Sequence, residues 1–200
     1  ELPWQQQLLR SVISPIDNEF LIRSITLEDL AIALWRSEAL VFKLSETELK
    51  KLCNDLFRCI QFDMQLLTSE IPKHRIQFHL QKGFSESEAH KRERIYQTNT
   101  LCKHLELLLA LLRSRSSEDE DIKTILAPNK DLTKKYVLLI DDISRIVMEK
   151  EINLKSRISL QIEKPEMFRN TPDLLYALRM YLTGDSGANS IIITGVTDEE

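Results

Sequence analysis

The sequence predicts a predominantly all-α protein, a helical bundle or short α-solenoid-like array, with a minor two-stranded β element near the C-terminus. Three observations carry that expectation. Only 4 Gly and 6 Pro occur in 200 residues, too few for a fold that must make many tight turns. Apolar residues recur at i, i+3, i+4 and i+7 over long stretches, the spacing of one helix face. Hydrophobic residues make up 42% of the chain and charged residues 29%, which is enough apolar material for a core and excludes global disorder.

The helices follow in order. Pro3 suits a first turn and leads into Leu8, Leu9, Val12 and Ile13. Thr26 and Asp29 mark a second start, followed by Leu27, Leu30, Ala31, Leu34 and Trp35 on one face. Ser45 and Glu48 stand at capping-box spacing. Behind them Leu49, Leu52, Cys53, Leu56, Phe57, Ile60, Met64 and Leu67 keep one apolar stripe. After Gly83, Ser85 and Glu88 repeat the capping device. The helix they open is polar through "HKRERIYQTNT" and strongly apolar from Leu101 to Leu112, so its first part is expected in solvent and its second in the core. A further helix is expected from near Asp131 to about Glu151. In "NTPD", Asn170 or Thr171 is the expected cap, with Pro172 in the first turn. Leu174, Leu175, Leu178 and Tyr181 supply that helix face, and Gly184 a left-handed stop.

Two segments read as strands. "SRISLQIEK" alternates Ile158, Leu160 and Ile162, and "SIIITGV" is rich in β-branched residues. An exposed β-branched run invites edge pairing, so the two are expected to pair with each other. The acidic stretch "RSRSSEDED" divides the chain into a helical part over 1–114, a linker over 115–130 and a helical part with the small β element over 131–200, together one integrated domain.

The formal net charge is −4, which argues against bulk electrostatic binding to nucleic acid or an acidic membrane, although a local basic patch is compatible with it. The longest apolar run, "LELLLALL" from Leu105 to Leu112, is far short of the roughly 20 residues that span a bilayer. Three cysteines, Cys53, Cys59 and Cys102, form no disulfide framework and favour a reducing, intracellular setting, nuclear or cytoplasmic. Beginning at Glu1 with no signal-like apolar region, the sequence reads as part of a larger protein. His74, His79, His90 and His104 match no common zinc spacing, and no nucleophile elbow is present. No enzyme, metal or cofactor is therefore expected. The basic clusters "KHR" (Lys73 to Arg75) and "HKRER" (His90 to Arg94) alternate with glutamates, as solvated helix faces do.

Four short motifs suggest interactions. "VLLIDD" resembles the Walker B strand of P-loop ATPases, with Asp141 as the implied magnesium-water ligand, and "IIITG" resembles a later sensor strand of such proteins. The four glycines assemble no phosphate cradle, so a nucleotide site is at most a degenerate, non-hydrolysing one. On a helix, Leu132, Tyr136, Leu139, Ile140, Ile143 and Val147 share one face, and Asp141 stands four residues before Arg145. The helix is the preferred reading. Ser116 and Ser117 precede acidic residues, as in sites of acidophilic kinases. "DSGANS" resembles the phosphodegrons read by the β-transducin-repeat ubiquitin ligase receptor, which implies Ser186 and Ser190 as phosphorylated positions. Ile191, Ile192 and Ile193, flanked by Asp198, Glu199 and Glu200, resemble a SUMO-interacting motif, which would add to a partner's sheet edge.

The function expected from these readings is an intracellular helical protein–protein interaction domain of a larger scaffold or regulatory subunit. Trp4, Leu8 and Val12, recurring at i+4, are its candidate partner-binding residues.

Overall fold

The computed structural model describes residues 46–114, 130–184 and 191–196. Trp4, Leu8 and Val12, the second expected helix at 27–35, the acidic linker, and Ser116, Ser117, Ser186 and Ser190 lie outside those residues. Among the described residues the chain is predominantly helical, with one small antiparallel sheet.

Helix α1 (Glu46–Thr68) buries Cys53, Leu56, Ile60 and Leu67 along the expected stripe, with Phe57 and Met64 partly covered beside them. Helix α2 (Lys73–Gln81) was not expected from the sequence; only its Ile76 is buried. Helix α3 (Glu86–Ser114) begins as its capping residues predict, the Glu88 backbone N–H donating to Ser85 Oγ at 3.3 Å. From Leu101 to Leu112 only Lys103 escapes burial, so α3 is covered around nearly its whole circumference there, as a central helix must be. Helices α1 and α2 pack against it.

Helix α4 (Lys130–Glu149) contains the "VLLIDD" segment, and Leu132, Tyr136, Leu139, Ile140, Ile143 and Val147 all face the core. Tyr136 is fully buried, donates its hydroxyl to the Cys53 carbonyl of α1, and meets the Phe57 ring edge-on with centroids 5.2 Å apart. Asp141 and Asp142 are exposed, but the expected Asp141–Arg145 pair does not form. Asp141 accepts from Arg179 at 2.9 Å, while Arg145 turns to Asp142 at 3.2 Å and Glu149 at 3.8 Å. Arg179 belongs to helix α5 (Asp173–Thr183), which packs against both α3 and α4. A guanidinium from a facing helix thus takes the aspartate that local spacing assigned to Arg145. The cap of α5 also differs by one residue from the expected Thr171: Pro172 itself, with the non-helical backbone of a cap residue at φ −52 and ψ 140, precedes the helix. Lys164 holds that end, donating to the Thr171 carbonyl and pairing with Asp173. Gly184 ends α5 in the left-handed conformation, φ 67.

Strands β1 (Ile158–Gln161) and β2 (Ile192–Val196) pair antiparallel, as their alternation predicts. Ile158 lies opposite Val196 and Gln161 opposite Ile192. Ser159 faces Gly195 while Leu160 faces Ile193, so Thr194 is the extra residue of a bulge. Residues from α1, α3, α4 and α5 share one hydrophobic core, to which Ile191 and Leu160 attach the sheet.

Candidate functional site

The site begins at the C-terminus of α1. The last carbonyls of a helix lack partners within it and carry the negative end of its dipole. Two cations from distant parts of the chain converge there. Arg94 of α3 donates to the carbonyls of Leu66 at 2.9 Å, Leu67 at 3.3 Å and Ser69 at 2.8 Å, and to Gln97 Oε1 at 3.0 Å. Lys150, just past α4, reaches the Leu67 carbonyl at 3.2 Å.

Between α3 and the segment that follows α4, a groove of about 750 Å³ remains open. One wall is a stripe of α3 that carries Lys91, Ile95, Thr98, Cys102 and Glu106 at helical spacing; the other is formed by 150–157. Six cations line it (Lys91, Arg94, Lys103, Lys150, Lys155 and Arg157) against two acids, Glu106 and Glu151. The net charge of the whole chain is −4, so the groove inverts the sign of the molecule locally.

Glu106 sits at its inner end. Its Oε1 accepts from Ser156 Oγ at 2.9 Å and from the Arg157 backbone N–H at 2.8 Å. These bonds tie the 150–157 wall to α3. Burial raises the Glu106 carboxyl above its ordinary range despite those donors. Cys102 donates its thiol to the Lys155 carbonyl at 3.4 Å, and burial followed by the nearby Glu106 charge pushes that thiol far up. Such a thiol is held protonated and is a poor nucleophile.

The rim carries backbone strain. Glu151, with φ 51, is the one non-glycine residue among the described residues with a positive φ. It occupies the left-handed position of a Schellman motif: Ile152 N–H bonds to the Val147 carbonyl at 2.9 Å and Glu151 N–H to the Met148 carbonyl at 3.3 Å. Glycine is the usual residue there, because a Cβ in this conformation costs about 1–2 kcal/mol.

The "HKRER" cluster is not the uniformly solvated face its charge pattern suggests. Lys91 and Arg94 join the groove. Arg92 covers the Phe84 ring and pairs with Glu88 at 3.0 Å. Glu93 is buried, held by Arg75 at 2.7 Å and His79 at 3.5 Å, both from α2. Buried Glu93 and Gln97 also correct the expectation that the first part of α3 lies wholly in solvent. Beside that ion pair, Arg75, Phe78 and Tyr96 border a second hollow of about 540 Å³. His104 is buried with its Nδ1 on Asp63 of α1. His74 and His90 are exposed. Among the described residues no three His, Cys, Asp or Glu side chains are placed to hold a metal ion, and no helix is long and apolar enough to cross a membrane.

Of the sequence-predicted interaction residues, Ile191 is buried, Ile192 is exposed opposite Gln161, and Ile193 pairs with Leu160. Ile192 and Ile193 sit in β2 and Ile191 just before it, apart from the groove lining. Sequence reasoning missed the groove. Lys91, Arg94, Thr98 and Cys102 do form a legible i, i+3, i+4 stripe, but the facing wall lies some fifty residues away, as the Cys102–Lys155 contact shows. No protein-family model, curated protein or solved structure matches the chain.

Proposed function

We propose that the protein is a helical protein–protein interaction domain, part of a larger scaffold or regulatory subunit in the nucleus or cytoplasm, and that it docks a partner in the groove between α3 and 150–157. The observation that carries this reading is the lining: six cations gathered around exposed Ile95 and partly covered Ile152, on a chain whose net charge is negative. Solvated faces balance their signs, whereas a concave surface with a strong excess of one sign and apolar side chains among the charges is suited to a complementary chain. The strained Glu151 at its rim supports the same reading, since such strain collects at binding sites.

SUMO and the ubiquitin ligase receptor are narrower partner proposals. The first requires Ile191, Ile192 and Ile193 to join a partner's sheet, and one edge of that strand is already paired with β1. The degenerate ATPase-like alternative requires a strand where α4 is helical, and no observation favours it. The interaction reading is tested by cross-linking in cells: a photo-cross-linker placed at Ile95 is expected to capture a partner protein, and one at exposed Leu138 on the far side of α4 is expected to capture none. Equal labelling from both positions would remove the groove from the proposal.

A further inference from the structure

The cations of the groove are not equivalent, and the difference identifies its occupant. Arg94 spends its guanidinium on the carbonyls that end α1 and on Gln97. Lys150 is likewise engaged on the Leu67 carbonyl. Lys91 and Lys155 are exposed, and the ammonium group of neither makes a hydrogen bond or ion pair among the described residues. They stand on opposite walls, with Ile95 exposed one turn beyond Lys91 and Ile152 on the facing wall.

We propose that the groove takes an acidic, carboxylate-bearing segment of a partner protein, with an apolar residue on Ile95 and Ile152 and flanking Asp or Glu side chains on Lys91 and Lys155. This inference rests on the protein-docking reading above. Three features select that chemistry. Phosphate groups are matched best by the planar fork of arginine, and neither arginine of the groove is free: the fork of Arg94 is committed to the α1 carbonyls, and Arg157 is engaged within the chain. Single-stranded nucleic acid binds by stacking bases on aromatic rings as well as by charge, and among the described residues no aromatic one lines the groove. Lysine ammonium groups act as point charges that suit carboxylates spread along a chain. The α3 stripe from Lys91 to Glu106 is about 22 Å long at 1.5 Å per residue, which an extended segment of about seven residues covers.

The test uses the 200-residue chain and fluorescence anisotropy of labelled peptides. The probe is a peptide of about seven residues with a central leucine pair flanked by Asp and Glu. It is expected to bind, to weaken as salt is raised, and to lose about tenfold or more in affinity to the double variant Lys91→Glu/Lys155→Glu, a loss of about 1.4 kcal/mol. Both lysines are exposed, and an unchanged thermal melt verifies that the variant folds. The reverse pairing, a lysine-flanked leucine peptide with the double variant, is expected to restore binding. No binding of the acidic peptide, or binding indifferent to the charge reversal, overturns the proposal. A neutral leucine peptide that binds equally well overturns the acidic assignment but leaves the protein-docking reading standing. A phosphoserine peptide that binds where the carboxylate peptide does not likewise overturns only the acidic assignment. A single-stranded oligonucleotide that binds where no peptide does overturns both.

Discussion

The two halves of α3 are one continuous helix built on opposite terms. From Leu101 to Leu112 nearly every side chain is buried, and Leu101, Leu105, Leu107 and Leu109 are wholly so. From Glu86 to Thr100 only Ala89, Glu93 and Gln97 are buried. They recur every four residues, so a single narrow stripe is covered there. The apolar half is fixed by packing, and the polar half by polar partners brought from elsewhere: Arg75 and His79 on Glu93, and the α1 carbonyls on Arg94. The comparison teaches how one helix can serve as core and as platform. Packing against α1 and α5 fixes its axis, and ion pairs then orient the exposed faces that carry the groove.

Substitution can break this division on either side. The largest effect is expected in the apolar half. Leu108→Ala should cost about 2–5 kcal/mol, as buried leucines do, read from urea denaturation as one cooperative loss of the whole helix. A loss below about 0.5 kcal/mol, typical of surface sites, would contradict its central position. In the polar half, Glu93→Ala removes the carboxylate that holds Arg75 and His79 and should cost about 1.5–3 kcal/mol. Its signature is local: amide exchange should quicken across α2 while Leu105 to Leu111 stay protected. Uniform acceleration would mean that α2 is not held by this ion pair.

The apolar half also holds one carboxyl that should titrate. Burial raises the folded-state pKa of Glu106 above its ordinary value, so the folded protein holds that proton more tightly than the unfolded chain. Stability from this group is fully present below the unfolded pKa and is lost as pH rises through the folded one. Glu106→Gln, which keeps an acceptor for Ser156 and Arg157, should therefore flatten the pH dependence of the denaturation midpoint above about pH 4.5. An unchanged profile would assign that dependence to another group. The smallest effect has the opposite sign. Glu151→Gly relieves the left-handed strain but loosens the unfolded chain, for a net gain of about 0.5 kcal/mol. A loss would show that the Glu151 side chain contributes more than its backbone costs.

What the sequence made legible follows the same division. Stripes such as Cys53, Leu56, Ile60 and Leu67, or Leu132 through Val147, are periodic in sequence because they meet a core in space. The caps Ser85 and Gly184 were legible for an equally local reason, and the alternation of Ile158, Leu160 and Ile162 anticipated the sheet. Helix α2 left a fainter trace, Pro72 at its start and Gly83 after its end around a single buried residue, Ile76. The pairs that build the groove were not legible. Arg94 with the Leu66 carbonyl, Glu106 with Ser156 and Cys102 with Lys155 join residues 28, 50 and 53 positions apart. Charge patterns along a helix are readable at i+3 and i+4, and they misassigned Asp141, whose partner Arg179 is 38 positions away.

The central claim is that the polar half of α3 and the 150–157 wall form a docking groove, and methyl NMR of the isoleucines tests it most directly. On titration with the acidic leucine peptide, the Ile95 and Ile152 methyls are expected to shift together and saturate at one affinity, while Ile60 and Ile140 in the core and Ile192 on the sheet stay in place. Shifts confined to Ile192, or no shift at Ile95 and Ile152 at saturating peptide, would contradict the account.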